Sequence, residues 1–326
     1  MNTWRQAALT ASSGLALRSP TLNPDTTEPN STVPSGLRLW LLAARPRTLP
    51  LAATPVLVGT ALAWAQGAPL LWGAALAALL AAAAIQIGTN LYNDAADHEG
   101  GNDGPDRLGP LRVTAAGWAT PAQVRRAAWL AFGTAFLLGI YLAAVGGPPI
   151  IAVGLASIAA GWAYSGGPRP ISHSPLGEVF VLLFFGLIAV GGSYYLQSGR
   201  LAPAALVAGL AVGAQAAAVL MINNLRDLAA DAAAGRRTLA ALLGPAGSRR
   251  AHGLLMLAPF ALVPAFVPPA RPLAWLAVLA LPLALAVVRQ AGRATGAALN
   301  RTLADTARAQ FVFGCLFALG CLVSLR

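Results

Sequence analysis

Two clusters of asparagine and aspartate follow long apolar stretches in this chain of 326 residues, which has only 11 acidic side chains in all. The first cluster, with two aspartates soon after it, contains Asn90, Asn93, Asp94, Asp97, Asp103 and Asp106. The second contains Asn223, Asn224, Asp227 and Asp231. Carboxylate and amide oxygens are ligands for hard cations, so the chemistry that these residue types suggest is the binding of a divalent metal ion.

The two clusters share a spacing. In each, an Asn precedes an Asp by four residues, Asn93 before Asp97 and Asn223 before Asp227, and residues four apart lie on the same face of a helix. The equivalent members of the two pairs are 130 positions apart. This repeat suggests that the chain consists of two related halves, each with a polar face at the end of a helix.

If the two clusters converge, several carboxylates share a small volume. Two unit charges about 4 Å apart at an effective dielectric constant of about 20 repel by about 4 kcal/mol, so such a site would either take up protons or bind a divalent cation. Oxygen ligands without a histidine or cysteine pattern favour Mg²⁺ over zinc. Taken alone, the second cluster would equally suit a helix end solvated by cytoplasm.

Arginines surround both clusters, and all 22 basic residues of the chain are arginine. Those nearest the clusters in sequence are Arg107, Arg112, Arg169, Arg226, Arg236 and Arg237. Planar guanidinium groups bind phosphate oxygens in pairs, so the set indicates a diphosphate held together with Mg²⁺. Each arginine by itself would also suit a position next to lipid headgroups.

The composition places these clusters in a membrane protein. Hydrophobic residues make up 57% of the chain and charged residues 10%, and apolar runs of about 20 residues, long enough to cross a bilayer, recur along it. The net charge of +11 is explained by arginines in loops between spans, so we do not expect a nucleic acid partner. The partners that we expect include membrane lipid.

The apolar runs predict an all-α, polytopic fold with about nine membrane-spanning helices. The predicted spans are residues 39–65, 68–92, 122–145, 148–165, 177–197, 203–224, 250–268, 272–290 and 308–325. The first is interrupted near its start by Arg45, Pro46 and Arg47, so its hydrophobic part is expected to begin nearer Leu49.

The distribution of arginine predicts the orientation. With the N-terminus inside, 19 of the 22 arginines lie on the inner side, and only Arg200, Arg271 and Arg326 lie outside. Because positive residues concentrate on the cytoplasmic side of inner-membrane proteins, we expect both polar clusters and the N-terminus to face the cytoplasm. Residues 1–36, rich in Ser, Thr, Pro and Asn, are predicted to be a disordered tail, and residues 37–326 the transmembrane domain.

A tight loop between the fourth and fifth predicted spans carries Tyr164 and Arg169, and Glu178 opens the fifth span. Glu178 has two interpretations: a carboxylate stabilised at a helix N-terminus, or a contact to a hydroxyl group of an acceptor substrate. His98, His173 and His252 lack metal-ligand spacing and are interpreted as interfacial polar residues.

Several strings of the sequence resemble the UbiA superfamily of intramembrane prenyltransferases, and within it the MenA type, the 1,4-dihydroxy-2-naphthoate polyprenyltransferases. In chain order they are ARPRTLP at 44–50, NLYNDAAD at 90–97, PDRLGPLR at 105–112, YSGG at 164–167, LGEV at 176–179, GSYYLQ at 192–197, NNLRDLAAD at 223–231 and GRRTLA at 235–240. The resemblance extends from about residue 38 to the C-terminus.

The resemblance implies nine helices around a central cavity and Mg²⁺-dependent transfer of a polyprenyl group from its diphosphate. The metal ligands that we expect are Asn93, Asp94, Asp97, Asp103, Asp227 and Asp231, with Asn93, Asp97, Asp227 and Asp231 central to catalysis. Substrate contacts are expected from Asn90, Arg107, Arg112, Tyr164, Arg169, Glu178, Asn223, Asn224, Arg226 and Arg236. The six-residue spacing from Asp97 to Asp103 departs from the commoner family spacing of four.

The function implied by the resemblance is prenylation of 1,4-dihydroxy-2-naphthoate with loss of CO₂, a step in menaquinone biosynthesis. An alternative within the superfamily is another aromatic acceptor, such as 4-hydroxybenzoate, homogentisate or a tetrapyrrole. An alternative of a different class is a cation-coupled transporter, which would place its acids near the middle of the bilayer on broken helices. A purely structural membrane subunit would leave the repeated clusters unexplained.

Overall fold

The computed structural model describes residues 34, 36–101, 107–266 and 272–323, and within these ranges all regular structure is helical. The described helices lie within one compact unit of the chain, residues 35–326. The predicted N-terminal tail falls almost entirely outside the described residues, as do Asp103 and Asp106.

Twelve α-helices follow one another in the described part of the chain. They are α1 Leu37–Ala44, α2 Leu49–Ala65, α3 Trp72–Glu99, α4 Pro121–Gly146, α5 Pro148–Ala163, α6 Gly177–Val181, α7 Ala189–Ser198, α8 Pro203–Arg226, α9 Leu228–Ala233, α10 Leu239–Phe266, α11 Leu281–Arg293 and α12 Leu299–Val323. A π-helical segment, Leu182–Ile188, joins α6 to α7, so Gly177–Ser198 forms one continuous rod.

Seven of the described helical segments are long and apolar enough to cross a membrane. They correspond to seven of the predicted spans, so the all-α, multi-pass fold is confirmed, whereas the count of nine is not. The other two predicted spans correspond to α5, which has only 16 residues, and to α10, which contains Pro245, Pro259 and Pro264.

The first predicted span is divided where the sequence indicated. Helix α1 ends at Ala44, Arg45 adopts a left-handed backbone conformation with φ 54°, and α2 begins at Leu49. A non-glycine residue is uncommon in that region of backbone space. The break turns the chain so that Arg45 can face the inside of the bundle rather than continue the apolar helix.

The centre of the bundle is held by small residues that let helices approach closely. A Cβ atom on Gly186, in the π-helical segment, would lie 2.4 Å from the carbonyl oxygen of Gly209 and 2.8 Å from the Cα of Gly213, both on α8. Small side chains at helix contacts are the usual means of close packing in lipid. The contact fixes the Gly177–Ser198 rod against α8, the helix that carries the second polar cluster.

Both polar clusters lie at helix ends, but the helices continue further than predicted. Helix α3 extends to Glu99, so the first cluster forms part of its last turns. Helix α8 ends at Arg226, and α9 begins at Leu228 after a change of backbone angle at Asp227. Asn223, Asp227 and Asp231, which recur every four residues, are therefore shared by two helices that meet at Asp227.

Candidate active site

A cavity of about 860 Å³ opens between the ends of α3 and α8. Twelve of the residues selected from the sequence line it: Asn90, Asn93, Asp97, Arg107, Arg112, Tyr164, Asn223, Asn224, Arg226, Asp227, Asp231 and Arg236. The structure thus brings the two clusters, 130 positions apart in sequence, to the walls of one cavity.

In the first cluster, Asn93 and Asp97 share one arginine. Nη2 of Arg112 donates to Asn93 Oδ1 at 2.9 Å, and Nη1 of Arg112 pairs with Asp97 Oδ2 at 2.5 Å. The amide nitrogen of Asn93 donates to the Ser165 hydroxyl at 2.8 Å, which ties α3 to the loop after α5. These contacts fix the side chains of Asn93 and Asp97 at the cavity wall.

Asp94 points elsewhere. Its carboxylate accepts hydrogen bonds from the Thr114 hydroxyl and from the backbone N–H of Val113, and Asp94 is not part of the cavity lining. It lies one residue, about 100° of helix rotation, beyond Asn93. Its placement therefore does not support the expected role as a metal ligand and instead anchors the loop before α4.

Asn90 lines the cavity but is also a structural residue. Its amide nitrogen donates to the carbonyl oxygen of Ala44 at 3.0 Å and to the Thr48 hydroxyl at 2.9 Å, and its Oδ1 accepts from Gln86 at 3.1 Å. These bonds satisfy the backbone at the break between α1 and α2, so Asn90 holds that break against α3.

In the second cluster, Arg226 organises its neighbours. Its Nε and Nη2 donate to both oxygens of Asp227, at 2.7 and 2.6 Å, and Nη2 also donates to Asn223 Oδ1 at 2.8 Å. Its Nη1 donates to Asn300 Oδ1 at 2.9 Å, and the Asn300 amide donates to the carbonyl oxygen of Leu108 at 2.7 Å. Arg226 therefore orients Asp227 and, through Asn300, connects with the loop after the first cluster.

Arg236 bridges the two clusters directly. Its Nη2 pairs with Asp97 Oδ1, and its Nη1 lies 3.4 Å from Asp231 Oδ1. All three side chains are largely buried, at 13% exposure for Arg236 and 8% for each aspartate. The Nε of Arg236 is buried and has no hydrogen-bond partner among the described residues.

Two further expected contacts lie away from the cavity wall. Arg169 is exposed and does not contribute to the lining. Glu178 is buried behind the wall, where its Oε1 accepts a hydrogen bond from Asn224 at 2.9 Å.

Asp103, expected as a metal ligand, falls in the part of the chain that is not described. His252, interpreted as interfacial, is fully buried and contacts the Thr306 hydroxyl at 3.2 Å.

Electrostatic conditions in the loops next to the cavity are unusual. Burial raises the pKa of Asp231 to about 6, despite the opposing effect of Arg236, and the charges of Asp227 and Asp97 add to the rise. Burial and the negative charges of Glu178, Asp97 and Asp231 raise the pKa of Tyr164. Burial, together with Arg236, lowers the pKa of His173. Tyr164 thus stays a neutral hydrogen-bonding hydroxyl.

Another part of the cavity lining forms an apolar wall. Leu51, Pro55, Ile85, Phe180, Val181, Phe184, Phe185, Val219 and Leu220 line it, and the rings of Phe180 and Phe184 lie 4.5 Å apart. The cavity therefore has a charged end and a hydrophobic end, a shape suited to a ligand with an anionic head and a hydrocarbon tail.

Sequence reasoning omitted two residues of the site. Arg45 lines the cavity, and its signal was available, because an arginine interrupts the first apolar run. Asn300 connects Arg226 with Leu108, but a single Asn at the start of α12 carries no spacing that would have identified it.

The ligand set fits Mg²⁺ better than a softer metal. No group of three His, Cys, Asp or Glu side chains suited to a metal ion is present among the described residues. Mg²⁺ commonly binds through one or two carboxylates together with substrate phosphate and water, rather than in an all-protein cage. Asp97, Asp227 and Asp231 and the amide side chains of Asn93 and Asn223 line the cavity, which offers oxygen atoms, singly or in pairs, to a metal ion that also binds phosphate.

Comparison with known proteins identifies the family. The model of the UbiA prenyltransferase family matches residues 52–322. The chain belongs to this family. Among UbiA relatives, a 1,4-dihydroxy-2-naphthoate octaprenyltransferase of Mycobacterium tuberculosis is 43% identical over 221 residues, 67% of this chain and 75% of that protein. Another, from Mycobacterium leprae, is 38% identical over 279 residues, 84% of this chain and 92% of the relative.

Solved structures of UbiA homologs share the fold. A UbiA homolog from Archaeoglobus fulgidus bound to DMAPP and Mg²⁺ superimposes with a TM-score of 0.62 at 14% identity, over 86% of this chain and 99% of that one. A UbiA homolog from Aeropyrum pernix K1 without ligand gives a TM-score of 0.64 at 17% identity, over 84% of this chain and 98% of that one. These matches confirm the UbiA architecture.

Proposed function

We propose that this protein transfers a polyprenyl group from polyprenyl diphosphate to 1,4-dihydroxy-2-naphthoate, with Mg²⁺, in menaquinone biosynthesis. The observation that carries the proposal is the convergence of both polar clusters on a cavity whose other wall is apolar. The relatives named as naphthoate octaprenyltransferases support the acceptor. Membership of the UbiA family argues against the transporter alternative.

The charged end of the cavity would bind the diphosphate. Mg²⁺ would be held there by Asp97, Asp227 and Asp231 with the amide oxygen of Asn93, and it would supply positive charge to the leaving group. Arg112 and Arg236, which contact these carboxylates, would donate hydrogen bonds to diphosphate oxygens. Fixed positive groups stabilise the charge that develops as the allylic C–O bond breaks.

The apolar wall would hold the prenyl chain and keep water out. Phe180 and Phe184, whose rings are tilted against each other on that wall, would lie next to hydrocarbon. Exclusion of water prevents hydrolysis of a reactive carbocation. The ring carbon that bears the carboxylate attacks the prenyl carbon, a C–C bond forms, and CO₂ then leaves with its bonding electrons retained by the ring, which becomes aromatic again. Diphosphate is the other product.

Release of CO₂ tests the proposal. Purified protein with Mg²⁺, a polyprenyl diphosphate and carboxyl-labelled 1,4-dihydroxy-2-naphthoate is expected to release labelled CO₂ in equal amount to the prenylated product. Addition of EDTA is expected to stop both. Prenylation of 4-hydroxybenzoate with retention of its carboxylate, and no reaction with the naphthoate, would move the protein to the alternative acceptor class.

We also propose that the charged end of the cavity faces the cytoplasm in the inner membrane. The bias of arginine supports this orientation. Single-cysteine variants at Gly235 and Gly147, in a protein without Cys315 and Cys321, can be treated in intact cells with an impermeant maleimide. Labelling is expected at position 147 alone, and labelling at position 235 alone would reverse the orientation.

A further inference from the structure

Glu178 is buried at 4% exposure yet lies outside the cavity lining. Its Oε1 accepts the Asn224 amide N–H at 2.9 Å, while its Oε2 is buried without a hydrogen-bond partner in the described part of the chain. Burying a carboxyl group costs free energy. The carboxyl group stands one residue behind the wall, where it can act on a substrate only through Asn224.

Asn224 is the residue between Glu178 and the cavity. Leu220, Asn223, Asn224 and Asp227 all line the cavity, and their spacing of three, four and seven puts them on one face of the end of α8. Asn224 therefore stands where the charged end meets the apolar wall formed by Leu220 and Phe180. An aromatic ring with a hydroxyl group matches that boundary.

The bond to Glu178 determines which end of the Asn224 amide faces the cavity. The amide nitrogen of Asn224 donates to Glu178 Oε1, so the NH₂ group faces Glu178 and the carbonyl oxygen of the amide is turned the other way. No described residue donates a hydrogen bond to Asn224 Oδ1, and this atom is not among the buried atoms without a partner. Oδ1 is thus an accessible acceptor.

We propose that Glu178 is a positioning residue that fixes the Asn224 amide so that Asn224 Oδ1 accepts a hydrogen bond from a phenolic hydroxyl group of the acceptor. This rests on the proposed function and deepens it. Glu178 would then affect the affinity for the aromatic acceptor and leave the binding of the prenyl diphosphate unchanged. A base that removes the hydroxyl proton would need direct contact with the acceptor, which the position of Glu178 does not offer.

The experiment compares Glu178→Gln with Glu178→Ala. Glutamine retains an oxygen that can accept the Asn224 N–H, whereas alanine removes it. We expect E178Q to keep the KM for the acceptor within about threefold of wild type and E178A to raise it about tenfold, the effect of roughly one hydrogen bond. The KM for polyprenyl diphosphate is expected to stay the same in both. If E178Q loses as much as E178A, Glu178 acts as an acid or base and the positioning role is wrong.

A double-mutant cycle with Asn224→Ala adds a second measurement. If Glu178 acts through Asn224, then E178A is expected to have little further effect in the N224A background; additive effects on the acceptor KM would overturn the proposal. Gln215→Ala is the matched control, because Gln215 is also buried on α8 but does not line the cavity. A rise in acceptor KM in Q215A equal to that in E178A would show that E178A acts by a general loss of structure, and the positioning role would be wrong.

The outcomes for the two proposals are distinguishable. A wild-type protein that prenylates 4-hydroxybenzoate instead of the naphthoate overturns the proposed acceptor, but the Glu178 experiment proceeds with that phenol unchanged. A wild-type protein that prenylates neither phenol overturns both.

Discussion

Arg236 connects the two polar clusters, so its removal is the most informative perturbation of the site. In Arg236→Gln the ion pairs to Asp97 and Asp231 are lost, and the donor group proposed for the diphosphate is replaced by a neutral amide. The fold should tolerate the change, because Asp97 retains its ion pair with Arg112 at 2.5 Å and Asp231, with a pKa already raised to about 6, can take up a proton when its partner is lost. The cost to stability is then expected to stay below the roughly 3–5 kcal/mol typical of leaving a buried charge unpaired.

The expected loss of activity follows from the contacts. A hydrogen bond to a charged group contributes about 1.5–3 kcal/mol, and about 1.4 kcal/mol corresponds to a factor of ten. If Arg236 contributes one such bond to the diphosphate in the transition state, R236Q is expected to lower kcat/KM for polyprenyl diphosphate by about 10- to 150-fold. Loss of the positive charge is also expected to raise the pKa of Asp231 further above its value of about 6, because Arg236 opposes that rise.

The assay is steady-state turnover of polyprenyl diphosphate at saturating acceptor and Mg²⁺. Arg237→Gln is the matched control: Arg237 is the next residue, is exposed, and makes its hydrogen bond to the His173 carbonyl oxygen through the main-chain N–H. R237Q should stay within about twofold of wild type, as is usual for a surface substitution. Wild-type kinetics in R236Q, or an equal loss in R237Q, would refute the assignment of Arg236 to the diphosphate.

Three further predictions concern the other members of the site. Asp97→Asn and Asp227→Asn should each lower turnover at least about a hundredfold in protein that still folds, while Asp305→Asn, on α12 and outside the cavity lining, should not; normal turnover in either of the first two would contradict the metal site. Because the pKa of Asp231 is raised to about 6, the Mg²⁺ concentration for half-maximal activity should rise as pH falls below about 6, where the proton competes with the metal, and stay level above it; a curve unchanged between pH 5 and 8 would show that Asp231 does not bind the metal. Asn300→Ala should lower kcat/KM about fivefold to tenfold, because Asn300 then no longer links Arg226 to the carbonyl oxygen of Leu108. A lower melting temperature with unchanged kinetics would limit Asn300 to a structural role.

The sequence predicted the parts of this fold that depend on local chemistry. Apolar runs predicted the helices, because length and hydropathy determine whether a segment crosses a membrane. The break at Arg45 was visible because an arginine with a neighbouring proline cannot continue an apolar helix. The count of spans was not obtained in the same way, since the 16 residues of α5 and the prolines of α10 leave the membrane crossing dependent on neighbouring helices.

The pairing of side chains across the cavity was beyond the sequence. Arg236 and Asp97 are 139 positions apart, and no local pattern indicates that they meet. Asp94 illustrates the same limit on a smaller scale: it belongs to the polar cluster, but one residue of helix rotation directs it to Thr114 instead of the cavity. Spacing predicts which residues share a face, whereas tertiary packing determines what that face contacts.

Arginines outnumber acidic residues in the described lining of the cavity. Among the described residues, Arg45, Arg107, Arg112, Arg226 and Arg236 line the cavity against three aspartates, Asp97, Asp227 and Asp231, which leaves two positive charges in excess in this part of the lining. A site built only for a divalent cation would need an excess of negative charge, because like charges raise the cost of binding. A diphosphate ester remains an anion even after Mg²⁺ binds to it. The excess of positive charge along the described lining therefore favours an anionic ligand, in agreement with the proposed complex of Mg²⁺ and diphosphate.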